Sequence, residues 1–283
     1  MTFTEWWQHL PSQMNPVLFQ IGGLSIRWYS TMYLVAFGIV YLLSQYRLKT
    51  ETWPFTKDDV SDMITWSILG VLLGGRIGYV LFYGKGAFWA EPWRIIVPFA
   101  RINGGWQFTG ISGMSYHGGL IGVMVALYLY SRKRNFSFLR LGDFLTPSIP
   151  LGFTFGRIGN FINGELYGRI TDLSIGMYFP AAGDFHLRHP SQLYEALFEG
   201  LILFAISWPL RKRGHAPGFS SGLYIFGYGF FRFFIEFFRQ PDAHMGFVLG
   251  PFSMGQVLSF SMMVAAGILW WIGWQAKTAP EDK

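Results

Sequence analysis

Cysteine is absent from the 283 residues. That excludes a disulfide framework, a thiolate nucleophile and a cysteine-based metal site, so any thiol in the chemistry must arrive with a partner. Charge is also scarce. Only 13% of residues are charged, against roughly 25% in an ordinary soluble domain. With 51% apolar residues and a mean hydropathy of +0.30, a soluble single domain, a disordered chain and a nucleic-acid module are all poor readings, because so apolar a surface would be sticky in water. Lys and Arg are missing from the first 26 residues, so the basic n-region of a cleavable signal peptide is not expected. The histidines at 9, 117, 186, 189, 215 and 244 show no metal-ligand spacing, and H-E-x-x-H does not occur. No metal site or cofactor is expected. Gly218-Phe219-Ser220-Ser221-Gly222 matches G-x-S-x-G by letters, but it lies where a loop meets an apolar run and lacks the strand-turn-helix setting of a hydrolase elbow. No lysine precedes Lys277 in the last apolar run, which argues against a retinal Schiff base.

What is present is apolar and aromatic. Runs long enough to cross a bilayer, about 20 residues each, fall near Arg27–Gln45, Val60–Tyr83, Tyr116–Ser131, Leu141–Phe161, Ser191–Leu210, Phe219–Phe238 and Ser253–Gln275. The expected fold is an all-α integral membrane protein of seven spans, a single domain over 1–283. A long segment, 84–115, reads as an interfacial arm, and 162–190 as a small cap. Lys and Arg set the orientation. Arg47, Lys49, Lys57, Arg132, Lys133, Arg134, Arg140, Arg211, Lys212, Arg213, Lys277 and Lys283 crowd one set of loops and the tail. Lys85, Arg94, Arg101, Arg169, Arg188 and Arg239 are spread over the other. The first set reads as cytoplasmic, which puts the N-terminus outside and the C-terminus inside. The net charge of +6 fits this bias and anionic lipid rather than nucleic acid. Pairs such as Gly70/Gly74, Gly74/Gly78, Gly118/Gly122 and Gly152/Gly156 are explained by close helix packing.

Ionisable side chains inside spans are costly, roughly 2.5–3.5 kcal/mol each even on a lenient scale. Here they share one level. Arg27, Arg76, His117, Arg157, Asn160, Glu165, Glu195, Glu199, Arg232, Glu236 and Arg239 all fall in the outer half of the expected bundle, and the inner half reads as apolar. A polar cavity open to the outer side accounts for that clustering. Arg is suited to a phosphate there, because its planar fork matches two oxygens at once. The competing explanation is an Arg–Glu network that only locks helices. Gly156-Arg157-Ile158-Gly159-Asn160-Phe161-Ile162-Asn163-Gly164-Glu165-Leu166-Tyr167-Gly168 is too rich in glycine and amide for a plain span end. In Tyr116-His117-Gly118-Gly119-Leu120, a histidine opens a span and two glycines clear space beside it; its ordinary pKa suits proton transfer. Arg232, Glu236 and Arg239 follow helical spacing, with Tyr228 one turn before Arg232. A transporter or flippase for an anionic lipid would also hold arginines in a membrane cavity, but should carry polar residues into the inner half and broken helices.

Taken in order, these motifs resemble the bacterial prolipoprotein diacylglyceryl transferase family. Gly74-Gly75-Arg76-Ile77-Gly78-Tyr79, Tyr116 to Leu120, Gly156 to Gly168, His189-Pro190-Ser191-Gln192-Leu193-Tyr194-Glu195, Glu236-Phe237-Phe238-Arg239-Gln240-Pro241-Asp242 and Ser253-Met254-Gly255-Gln256 carry the likeness, which spans most of the chain from Trp28-Tyr29 onward. Tyr167 departs from an expected Trp. The resemblance implies a seven-span enzyme of the bacterial inner membrane with a periplasmic N-terminus. It implies transfer of a diacylglyceryl group from phosphatidylglycerol to the lipobox cysteine of a prolipoprotein, with glycerol phosphate leaving, and no cofactor. It carries functional importance to Tyr29, His117, Arg157, Asn160, Glu165, Tyr228, Arg232 and Glu236, with Arg76, Glu195 and Arg239 in support. Arg157 and Arg232 are expected on the phosphate, Asn160 and Tyr29 on the head group or orienting an arginine, and His117 as the first candidate for the base, with Glu165 or Glu236 orienting a partner or sharing that role.

Overall fold

The structure, a computed structural model, describes residues 2–22, 24–83, 99–102, 105–108, 113–212, 216–240 and 247–278. Most of the expected arm, with Lys85 and Arg94, lies outside the described residues, as do Arg213, His215, Pro241, Asp242 and His244. In chain order the elements are α1 (Phe3–Gln8), α2 (Leu10–Gln13), β1 (Val17–Ile21), β2 (Leu24–Arg27), α3 (Trp28–Thr50), α4 (Lys57–Tyr83), β3 (Phe99–Ile102), β4 (Gly105–Phe108), α5 (Tyr116–Lys133), α6 (Phe138–Leu145), α7 (Ile149–Ile162), α8 (Ser191–Leu210), α9 (Phe219–Ile235), β5 (Phe247–Leu249), β6 (Phe252–Ser253) and α10 (Met254–Thr278). The strands form three separate antiparallel hairpins; helices make up the rest of the framework.

Among the described residues, Lys57–Phe82, Ser191–Leu210 and Met254–Gln275 are long and apolar enough to cross a membrane. Two of the other expected runs are shorter or interrupted. α9 has 17 residues, about 26 Å at about 1.5 Å per residue, against a hydrocarbon core of about 30 Å. The continuous run expected at Leu141–Phe161 is interrupted: α6 ends at Leu145, a 3-10 turn occupies Thr146–Ser148, and α7 resumes with Pro150 in its first turn. Pro147 and Pro150 lack the N–H that an unbroken helix needs. Along α4 and α10, Leu69, Leu73, Leu81, Phe260, Trp271 and Trp274 stand exposed, a surface suited to hydrocarbon.

The chain forms two compact units. One comprises Thr52–Leu141. Its α4 and α5 pack through their glycines. A methyl on Gly74 would lie 2.6 Å from the Gly122 Cα, and one on Gly118 would lie 2.9 Å from the Gly78 Cα, so only glycine permits the approach. Asp59 accepts from Tyr130 Oη at 2.9 Å and is ion-paired with Arg134 at 2.5 Å.

The other unit comprises Met1–Glu51 and Gly142–Lys283. Within it α3 packs on α7, α7 on α8, and α9 on α10. Here too one expectation needs correcting: the helix ends away from the outer-half residues are not purely apolar. Arg47 is fully buried, pairs with Glu51 at 2.6 Å and donates to the Asp143 and Phe144 carbonyls. Glu51 also holds Arg211 at 3.0 Å. The Asp143 carboxylate accepts from the Gly218 and Ser221 N–H groups at the start of α9. Sharing carboxylates and carbonyls is what makes such burial tolerable. Beyond α7, the stretch to Pro190 runs through isolated bridges Gly168↔Arg239, Ile170↔Arg188 and Met177↔Arg188. Phe161, Met177 and Phe179 form a buried cluster, with Trp7, Leu10, Met14 and Tyr167 packed on it.

Candidate active site

Three helices bring the charged side chains together. Arg157 comes from α7, Glu195 and Glu199 from α8, and Arg232 from α9, with Glu236 at the C-cap of α9. Glu195, with no exposed surface, lies between the arginines. Arg232 Nη1 donates to its Oε1 at 2.6 Å. Arg157 Nε lies 2.7 Å from its Oε2, an ion contact whose N–H is not aligned on the oxygen, so neither atom completes a hydrogen bond. Arg232 Nη2 approaches Glu236 Oε2 at 3.0 Å. Both arginine side chains remain slightly exposed, 13% and 10%. The Glu195 side chain between them is fully enclosed.

A second line of contacts leads outward from Arg157. Its Nη1 donates to Asn160 Oδ1 at 3.2 Å, and Asn160 Nδ2 donates to Glu165 Oε1 at 2.8 Å. Gln192 Nε2 donates to the Glu165 carbonyl at 2.6 Å, and Ser191 Oγ to the Leu166 carbonyl at 2.8 Å. The start of α8 thus seats the loop that carries Glu165. The Arg157 guanidinium lies 4.6 Å from the Phe153 ring centroid, a cation–π distance. Phe153 meets the buried Tyr228 edge to face. Tyr29 Oη donates to Tyr33 Oη at 3.1 Å, and its backbone passes close to Gly159.

The structure modifies several expectations. The Arg–Glu network set against the phosphate reading does exist. Both arginines are held by Glu195 rather than waiting unpaired. Arg239 does not continue the helical face of Arg232 and Glu236: α9 ends at Ile235, and Arg239 lies in the bridge to Gly168, its carbonyl accepting from Arg169 Nε at 2.8 Å. Gly159 and Gly168 serve protein contacts. A methyl at Gly168 would lie 2.7 Å from His189 Cβ and would also strike the Phe238 carbonyl. Pro190 is the N-cap of α8. His189, just before it, has its imidazole pushed below the ordinary value by burial, with Nδ1 3.1 Å from Tyr194 Oη.

His117 and Arg76 belong to the unit formed by Thr52–Leu141 and are described within it. His117 is exposed near the start of α5, its ring edge-on to Tyr116. The glycines after it do not clear space for the ring; they pack against α4. Arg76 Nη1 donates to the Gly113 carbonyl at 3.3 Å, and its guanidinium lies 6.0 Å from the Tyr79 ring centroid.

Two features have a setting that side-chain spacing does not give. Glu199 is fully buried, 3.9 Å from Arg232, with neither oxygen hydrogen-bonded. It sits in a π-helical stretch, Ala196–Ile202, a distortion common at functional sites and not legible in side-chain spacing. Ser253 Oγ donates to Glu236 Oε1 at 3.0 Å. The S-x-x-Q pattern at Ser253–Gln256 marks that helix start.

The prolipoprotein diacylglyceryl transferase family model matches residues 16–272. The chain is 60% identical to the phosphatidylglycerol–prolipoprotein diacylglyceryl transferase of Chlorobaculum tepidum, covering 98% of this chain and 96% of that protein. It is 49% identical to the protein of that name from Pseudoalteromonas atlantica (89% and 86% covered) and 47% identical to the one from Idiomarina loihiensis (95% and 96% covered). With Arg157, Glu195 and Arg232 converging in a mostly helical, apolar framework and the match running nearly end to end, the chain belongs to the prolipoprotein diacylglyceryl transferase family.

Proposed function

We propose that this protein transfers the diacylglyceryl group of phosphatidylglycerol to the cysteine thiol of a prolipoprotein lipobox. The observation that carries the reading is the Arg157–Glu195–Arg232 arrangement. A guanidinium has several N–H donors in a rigid fork. Glu195 takes one contact on each and fixes their directions, and N–H donors not turned to Glu195 receive the phosphodiester. Asn160, oriented by Glu165, and Tyr29 and Tyr228 line the approach for the head group. Arg76 and Arg239 keep the supporting roles that the resemblance gives them.

The reaction forms a carbon–sulfur bond and breaks the neighbouring carbon–oxygen bond, so glycerol phosphate leaves with the bonding electrons. The thiol proton is accepted by His117 and leaves with the phosphate product or to water. The arginines stabilise the charge that concentrates on the departing phosphate. Because the chain has no cysteine, the attacking sulfur is the substrate's. No step calls for a cofactor.

We place the protein in the bacterial cytoplasmic membrane with seven spans, the N-terminus periplasmic and the C-terminus cytoplasmic, 84–115 as an arm and 162–190 as a cap. The Lys/Arg distribution supports this orientation. The test is to incubate purified protein with phosphatidylglycerol and a lipobox peptide. The expected result is a diacylglyceryl mass gain on the peptide cysteine. Lipid movement between leaflets without that gain would select a flippase instead, a reading the relatives' names do not favour.

A further inference from the structure

We propose that Ser253 and Gly255, at the start of α10, are positioning residues that seat Glu236 and through it hold Arg232 in line for the phosphate. The inference rests on the phosphodiester reading above.

Three independent contacts meet here. Ser253 and Gln256 form a reciprocal cap: Gln256 N–H donates to Ser253 Oγ at 3.3 Å, and Ser253 N–H donates to Gln256 Oε1 at 3.0 Å. A hydroxyl that accepts from the backbone has its proton left to give, and that proton goes to Glu236 Oε1 at 3.0 Å. Gly255 clears the room: a methyl there would lie 2.6 Å from the Glu236 carboxyl carbon. The carboxylate therefore rests directly on the first turn of α10, where the helix dipole favours negative charge. Ser253, Gln256 and Glu236 are all buried, which keeps water from replacing these contacts. Gln256 Nε2 further ties the turn to the Phe233 carbonyl of α9 at 3.5 Å. Glu236 in turn faces Arg232 Nη2 at 3.0 Å. The hairpin β5–β6 delivers Ser253 to this spot, with Gly250 at a φ of +57° between its strands. An ordinary helix cap would need neither a buried carboxylate beside the serine nor a glycine beneath that carboxylate.

The test is a double-mutant cycle read by transfer kinetics and by phosphatidylglycerol affinity in nanodiscs, so that a variant without turnover still yields a number. Ser253→Ala is expected to lower kcat/KM about tenfold, the order expected for one lost hydrogen bond to a charged group. Ser253→Thr, which keeps the hydroxyl, should restore it. Gly255→Ala should cost about a hundredfold, as the carboxylate is expelled. In a Glu236→Gln background, Ser253→Ala should cost no more than about twofold, because the carboxylate it served is gone. If Ser253→Ala loses the same factor in both backgrounds, it acts through helix stability alone and the proposal fails. The proposal also fails if Ser253→Ala is neutral while Arg232→Ala abolishes transfer, with the phosphate reading intact. Full transfer by Arg232→Ala would instead remove the phosphate reading itself.

Discussion

Glu195→Gln separates charge from shape at the centre of the site. The variant keeps the size and one acceptor oxygen, but turns an NH2 toward one guanidinium. Donor then faces donor where the wild type has contacts of 2.6 Å and 2.7 Å. Breaking a buried ion pair by removing one partner costs about 3–5 kcal/mol. Asn160 still bonds Arg157, and Glu236 still faces Arg232, which places the expected loss at the lower end, about 3 kcal/mol. In transfer rate that is a factor of about 150. In heat stability it is a drop on the order of 6–12 °C. The assays are thermal unfolding in detergent and initial rates of mass gain on a lipobox peptide. Glu195→Asp keeps the charge but retracts it by about one bond, about 1.5 Å, so it should recover stability before it recovers rate. An unfolding midpoint within about 1 °C of wild type together with a rate within about twofold would refute the idea that Glu195 aligns both arginines.

Other outcomes follow from the same geometry. Gly118→Val should force α4 and α5 apart and lower stability by about 1–3 kcal/mol, the cost of overpacking, measured by thermal unfolding. Gly200→Ala should strain the π-helical stretch, because the new methyl strikes Thr154, whose hydroxyl donates to the Ala196 carbonyl; transfer should fall at unchanged membrane insertion. His117→Asn should lose activity at every pH, and full activity across the range would remove His117 as the base. Arg188 holds the Asp184 carboxyl below the usual carboxylate range at 2.5 Å. A depressed carboxylate contributes stability above its unfolded pKa, and that contribution is lost as pH falls through the folded value. Hydrogen exchange around 184–188 should therefore rise on acidification in wild type and lose this pH dependence in Asp184→Asn.

Much of the candidate site was legible because intramembrane charge is expensive. Arg157, Glu195 and Arg232 stand out in a chain with so few charges, and their shared level pointed to one place. Their pairing was not legible. Whether Glu195 serves Arg157, Arg232 or both depends on how α7, α8 and α9 rotate against one another, and spacing within each helix does not set that. The π-helical stretch around Glu199 is hidden for a related reason: an inserted register change leaves no mark in composition. The helix boundaries at Arg27/Trp28 and Tyr116 followed from the apolar runs. The break at Thr146–Ser148 was hidden because Pro147 and Pro150 sit in a run apolar enough to read as continuous. The buried Arg47–Glu51–Arg211 cluster was read as loop charge, since neither its burial nor its partner carbonyls show in the local sequence.

The central claim is that Arg157 and Arg232 together grip a lipid phosphodiester. The direct measurement is the affinity of a non-reactive phosphonate analogue of phosphatidylglycerol for wild type, Arg157→Ala and Arg232→Ala in nanodiscs. Each substitution is predicted to weaken binding at least about thirtyfold, the lower bound for losing one partner of a buried charge pair, while the protein stays inserted and folded. Unchanged affinity in either variant would contradict the account.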